Sequence, residues 1–239
     1  MSIKSYDSIP DNVAISIDLP FTEAIGIETH DVAKAHHPVD LINTPSWGTS
    51  PGGLSVLDLD GIDQYGEIAA ADSADLDFTT GDYSFACWLK QDAGVTVSQI
   101  IAGKYHVNVS GWEIYTTEVG VFPATLNYLS IRHHHAGGTD TRSSVYSLGW
   151  EQNNWWFMGV ARTGATCKMF RNGELIETVG GPLEDPETAA ASDVVIGTRH
   201  TKDTNFFNGS MYGWRMWPGE IVESEWKNMF NRERSFFGV

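Results

Sequence analysis

Between Trp155 and Thr178 the chain reads as consecutive strands broken by tight turns at Thr163-Gly164 and Asn172-Gly173. An Asn-Gly pair between apolar runs is the strongest short-range hairpin signal, because both residues tolerate the positive φ that a type I′ turn needs. From Trp155 to Ala161 the run is apolar on both parities. Such a strand is expected to be covered on both faces, as in the middle of a sandwich.

The rest of the chain repeats the theme. Val13 to Leu19 alternates as a first strand, and Leu54 to Ile68 reads as strand, Asp60-Gly61 turn and strand. Further strands are expected over Tyr83–Lys90, Gln99–Lys104, Trp112–Thr117, Leu126–His135, Asp193–Arg199 and Ser210–Trp217. Residues 28–52, punctuated by Pro38, Pro45, Pro51 and Gly52-Gly53, read mostly as loop, and 70–82 as a polar loop. Only the tail is helical: from Val222 to Arg232, Trp226, Met229 and Phe230 form one apolar stripe for docking onto the strands. Short strands at this spacing predict an all-β fold, a two-sheet antiparallel jelly-roll sandwich with a short C-terminal helix over about 222–232. Residues 1–11 read as an extended N-terminal arm and 12–239 as a single domain.

Charge narrows the partners. Lys and Arg number 15 against 31 Asp and Glu, a net −16 that repels phosphate backbones and anionic lipid. Nucleic acid is therefore an unfavourable partner, and no stretch approaches the roughly 18 apolar residues of a membrane span. The N-terminus lacks the apolar core of a signal peptide. Cys87 and Cys167, the two cysteines, each sit inside a strand-like run and share parity with apolar neighbours. They are expected to face the core as free thiols, with a bridge between them as the alternative.

The order of short motifs resembles the laminin-G-like, concanavalin-A-like jelly-roll superfamily across roughly residues 13–231. The resemblance rests on Phe21-Thr22-Glu23-Ala24 before Gly26, and on Leu59-Asp60-Gly61-Ile62-Asp63-Gln64-Tyr65-Gly66. It continues through Tyr83-Ser84-Phe85-Ala86-Cys87-Trp88-Leu89-Lys90, Arg171-Asn172-Gly173-Glu174-Leu175, Ile196-Gly197 and Phe207-Asn208-Gly209-Ser210-Met211. It implies two antiparallel sheets, one usually concave, and a habit of binding glycans or proteins. Function does not follow from such a fold, so it must be argued from sites.

Relatives that hydrolyse glycans carry a Glu-x-Asp-x-x-Glu strand, which sets two carboxylates on one face for acid and nucleophile. This chain has no Glu-x-Asp, so no catalytic residues are assigned and no enzyme is expected. Relatives often hold a structural calcium, a hard cation that takes six to eight oxygens. Asp58, Asp60 and Asp63 are the candidate ligands here, although the family's Asp-Asp after its last strand is replaced by Tyr212-Gly213. No other cofactor is implied. His133-His134-His135 invites a metal, but sequence ties no third ligand to the pair at i, i+2, and strand-end histidines near solvent are the simpler reading.

Parity gives a better handle. If Phe85 and Leu89, Trp112 and Ile114, Leu129 and Ile131, and Met158 and Val160 face the inter-sheet core, their neighbours face outward. The expected binding face then carries Trp88, Glu113, Tyr115, Tyr128, Arg132, His134, Phe157, Lys168 and Phe170. Aromatic planes among charged groups suit a sugar ring, which needs stacking for its C–H face and partners for its hydroxyls. The competing reading puts these aromatics under a loop or a subunit contact.

Together these features predict a non-enzymatic surface binding or structural module. A phage virion protein, capsid-decorating or tail-associated, fits an unaccompanied domain of this type, with virion proteins or glycans as partners and the virion surface as its location. The alternatives are an extracellular carbohydrate-binding or adhesion module and an unrecognised glycan hydrolase or lyase. A homo-oligomer is expected, trimer before dimer, with contacts through residues 1–11 or through Phe236 and Phe237.

Overall fold

In the computed structural model, which describes residues 15–94, 97–117, 126–144 and 150–239, the Asn172-Gly173 turn forms as expected. Both residues have positive φ, 51° and 79°. The strands, in chain order, are β1 (Ile17–Leu19), β2 (Glu28–His30), β3 (Pro38–Ile42), β4 (Ser46–Thr49), β5 (Ser55–Asp60) and β6 (Tyr65–Ile68). They continue with β7 (Tyr83–Gln91), β8 (Gln99–His106), β9 (Ser110–Thr117), β10 (Leu126–His135), β11 (Gly138–Ser143) and β12 (Trp150–Glu151). The last are β13 (Trp156–Thr163), β14 (Thr166–Arg171), β15 (Glu174–Val179), β16 (Val194–Ile196) and β17 (Asn208–Pro218), followed by α1 (Glu223–Phe237).

They build two antiparallel sheets. One has eight strands, ordered β15-β14-β13-β7-β17-β5-β4 with β1 on β17, and the other nine, ordered β11-β10-β9-β8-β16-β6-β3-β2 with β12 on β10. The odd-numbered residues of β7, Phe85, Cys87 and Leu89, point between the sheets. They meet Trp112, Ile114, Leu129, Ile131, Val194 and Ile196 of the other layer there. Cys87 and Cys167 both lie in this core as free thiols.

The Asp60-Gly61 turn carries the chain from one sheet to the other, since β5 pairs with β17 and β4 while β6 pairs with β16 and β3. Residues 28–52, expected as loop, hold β2, β3 and β4. Pro38 does not prevent this, because it opens β3 near the sheet edge, where a missing N–H removes no essential ladder bond. The expected strand at Val13–Leu19 is seen from Ile17, its first residues and the arm 1–11 lying outside the described residues.

The helix runs five residues beyond the expected Arg232 and ends on Gly238 in the left-handed region, φ 73°. It covers the outer face of the eight-stranded sheet with Trp226, Met229 and Phe237. Burying such side chains is worth on the order of 2 kcal/mol each. Gly159 in β13 makes the fit: a Cβ there would stand 2.0 Å from the Trp226 ring. Phe237 stacks on Trp88 at 4.1 Å, so one of the two terminal phenylalanines anchors the helix, while Phe236 remains partly exposed.

Candidate functional site

The nine expected face residues separate onto two opposite surfaces. Trp88, Phe157 and Phe170 do point out of the inter-sheet core, but on the eight-stranded sheet, where α1 buries them. Phe170 stacks on Trp226 at 4.3 Å, and the Trp88 indole donates to Glu233 Oε2 at 2.7 Å. These three are a second core. Lys168 is on the same side and pairs with Glu220 at 2.6 Å, which also accepts from the Thr163 hydroxyl.

The calcium candidates are brought together in part: Asp58 and Asp60 line one pocket with Asp92 and Lys90, and Asp63 lies outside that lining. Asp58 lies half-buried on the outer face of the eight-stranded sheet, and Asp60 Oδ1 accepts from the N–H groups of Ile62 and Asp63, closing the turn. Asp63 contributes its backbone oxygen to Asn43. Among the described residues no three carboxylate, histidine or cysteine side chains are placed to hold a metal ion. The histidine run is likewise divided. His133 is fully buried, accepting from the Tyr83 hydroxyl at 2.8 Å while its Nδ1 meets the Glu184 carbonyl at 2.9 Å. Burial pushes its pKa down to about 4. His135 pairs instead with Asp140 and Glu184, and His134 with the Thr139 hydroxyl.

Glu113, Tyr115, Tyr128, Arg132 and His134 remain together, on the outer face of the nine-stranded sheet. Register places Thr141, Arg132, Glu113, Gly103, Val195 and Glu67 in one row across β11, β10, β9, β8, β16 and β6. Adjacent members of such a row are separated by about 4.8 Å of strand spacing. Gly103 carries no side chain at the middle of the row, and the atoms nearest to where its Cβ would stand belong to Glu113 and Trp112 of β9; the turn after β16 brings two cations to the row. From that turn Arg199 Nε reaches 3.7 Å from Glu113, and Lys202 pairs with Glu67 and Asp193 at 2.6 and 2.8 Å.

Glu113 has only 1% of its side chain exposed although it faces out of the sandwich. Arg132 approaches it at 3.3 Å and lies over the Tyr115 and Tyr105 rings, 4.6 and 5.7 Å from their centroids. Burial pushes the Glu113 carboxyl above the usual carboxylate range, and the charges of Arg132 and Arg199 offset this only in part. At 3.7 Å the Arg199 contact is longer than a normal hydrogen bond. Glu113 Oε2, Arg199 Nε and the neighbouring His200 Nδ1 are buried without hydrogen-bond partners among the described residues. Burial, with the nearby His106 and Arg199, holds His200 below its ordinary value.

Parity alone identifies Glu113, Tyr115, Tyr128, Arg132 and His134. It misses Tyr105, Arg199 and His200. The Tyr105 alternation is hidden by the bulge between Ile100 and Ala102 in β8, and Arg199 and His200 belong to a turn that folds back over the sheet.

Solved structures share this architecture. The receptor-binding domain of botulinum neurotoxin C/D mosaic serotype is similar with a TM-score of 0.67 and 13% identity over 92% of this chain and 51% of that one. Domain 4 of AbnA, an extracellular GH43 arabinanase from Geobacillus stearothermophilus solved with arabinotriose, gives 0.66 and 14% over 91% of this chain and 98% of that one. A botulinum neurotoxin type C structure, described as entering cells through two ganglioside molecules, gives 0.66 and 11% over 92% and 51%. The chain thus spans about half the length of the toxin domains it matches. A search of curated protein sequences finds no match. The model of the concanavalin A-like lectin/glucanase superfamily matches residues 60–225, more than half of the chain, and the chain belongs to that family.

Proposed function

We propose that this protein is a non-enzymatic binding module that takes a glycan on the outer face of its nine-stranded sheet, around Glu113, Arg132, Tyr115, Tyr128 and His134. The observation that carries the reading is the buried Glu113, with Arg132 and Arg199 over it and donor and acceptor atoms left unsatisfied. Buried polar atoms are normally hydrogen-bonded, so an exception beneath an outward face singles out this cluster from the rest of the surface. A carboxylate beside guanidinium groups and tyrosines offers a sugar both acceptors and donors. Neighbours that bind carbohydrate, the arabinotriose-bound arabinanase domain among them, support the choice of ligand class.

A glycan array followed by calorimetry on the best ligand tests this. Arg132→Ala should lower affinity at least tenfold, while Lys168→Ala, on the opposite sheet, should leave it unchanged. Failure to bind any glycan, or equal affinity in Arg132→Ala, overturns the reading. Attachment to a virion surface is part of the same proposal. Capsid and portal genes beside this one support it, whereas polysaccharide-degradation genes favour an extracellular module. Sedimentation distinguishes the expected trimer from a monomer.

A further inference from the structure

His37 is buried, with 3% of its side chain exposed, at the loop between β2 and β3. Its Nδ1 lies 2.7 Å from Asp31 Oδ2 and its Nε2 2.9 Å from Asp75 Oδ1. A carboxylate accepts and a neutral imidazole has one N–H, so only the doubly protonated ring satisfies both contacts at once. Asp75 belongs to a single 3-10 turn, Ala74–Leu76, on the separate 70–82 segment, and reaches His37 across 38 positions of sequence.

Asp31 is itself fixed. Its Oδ1 accepts from the N–H groups of Asp18 and Ala33, and its Oδ2 from the His37 N–H. These bonds, with the ring of His37, hold its carboxyl below the usual range even though burial opposes ionisation. The other charged groups around the site are Lys104, which acts on Asp75 from β8 while donating to Ser73 and Ser192, and Glu28, His30, His36 and Asp40, which line the adjoining pocket. His36 Nδ1 faces the Asp31 carbonyl.

We infer that His37 is a proton-operated clasp which, as an imidazolium, ties the β2–β3 edge hairpin to the 70–77 turns and releases it on deprotonation. Burial disfavours the charge, yet the Asp31 and Asp75 hydrogen bonds raise the pKa of His37 above its ordinary 6.5. A raised folded value means that the clasp contributes fully below pH 6.5 and is lost as pH rises through the folded value. Only the seam between two segments depends on the ring, so opening is local and leaves the sandwich intact.

Nitrogen NMR of the full chain, with amide exchange measured from pH 5.5 to 8.5 and corrected for intrinsic rates, tests the clasp. Both ring nitrogens of His37 should carry protons at pH 6.5, with a midpoint above that value. Protection of residues 29–41 and 70–77 should fall at least tenfold as the ring titrates, while β7 and β13 stay protected. His37→Gln, which keeps a polar group but no charge, should show the low protection at every pH. A His37 midpoint at or below 6.5, or hairpin protection that does not change as the ring loses its proton, overturns the inference. The titration of the unmutated protein decides the matter even if His37→Gln does not fold.

Discussion

Replacing His133 by Gln removes one titratable group from the core and leaves its two hydrogen bonds available, since an amide can accept from Tyr83 and donate to the Glu184 carbonyl. The ordinary value of the ring is 6.5 and in the folded protein it is about 4. The folded state therefore stays neutral over a range in which the unfolded chain binds a proton. Stability from this group is complete above pH 6.5, falls as pH drops, and levels off below about 4. Integrating that window gives a loss of roughly 3 kcal/mol by pH 4, at 1.36 kcal/mol for each unit of pKa difference. This is a large share of the 5–15 kcal/mol typical of a folded domain. Urea unfolding of both proteins at pH 7, 6, 5 and 4 measures it, because every other titrating group cancels in the difference. The native protein's stability relative to His133→Gln should decline by about 3 kcal/mol across the series. A difference that stays constant within about 0.5 kcal/mol, far from the change expected for a fully buried histidine, would refute the placement of a neutral His133 in the core.

Gly159→Ala should destabilise the fold by about 1–3 kcal/mol and loosen α1, because the new methyl meets the Trp226 ring; unfolding midpoints and the fluorescence of Trp226 report both. Glu233→Ala should cost about 3–5 kcal/mol in urea unfolding, since it strips a buried partner from Arg215 and from the Trp88 indole. Neither thiol should react with a disulfide reagent in the native state: burial raises Cys167 to about 12 and Cys87 further, so labelling should follow the unfolding rate. Rapid labelling of both cysteines ahead of unfolding would contradict their place between the sheets.

The strands whose pattern alternates cleanly are legible in the amino-acid sequence. Phe85, Cys87 and Leu89 face the core because period-two alternation follows from pleat geometry, which no tertiary context alters. The β13–β14–β15 meander is legible because Asn172-Gly173 encodes its turn in backbone preference. Short edge strands are not. In β2 and β4, three and four residues long, too few positions alternate to stand out from loop composition, even though each pairs with the next strand in sequence. The end of α1 is obscured because Glu233, a charged residue, is buried there by Arg215 and Trp88, partners that no helical periodicity reveals.

Parity says which residues leave the core but not which sheet they leave from, and that is why the expected face comes apart. Two outward surfaces result, and the chemistry of their residues decides the fate of each. Trp88, Phe157 and Phe170 form an apolar surface that water would penalise, and such a surface calls for a cover. The same chain carries one, the stripe of Trp226, Met229 and Phe237, so an apolar outer face paired with one amphipathic helix is already accounted for. Glu113, Arg132 and His134 need no cover to remain in water, yet Glu113 is as buried as the aromatics on the other side. Arg132 and the Arg199 turn do that burying, at the cost of desolvating a carboxylate whose pKa rises in consequence. Simple solvation would have left this face open and flat. A folded chain that instead buries a charged cluster beneath its outer surface does so against the cost of desolvation, and this asymmetry between the two faces is what supports placing the proposed glycan site on the nine-stranded sheet.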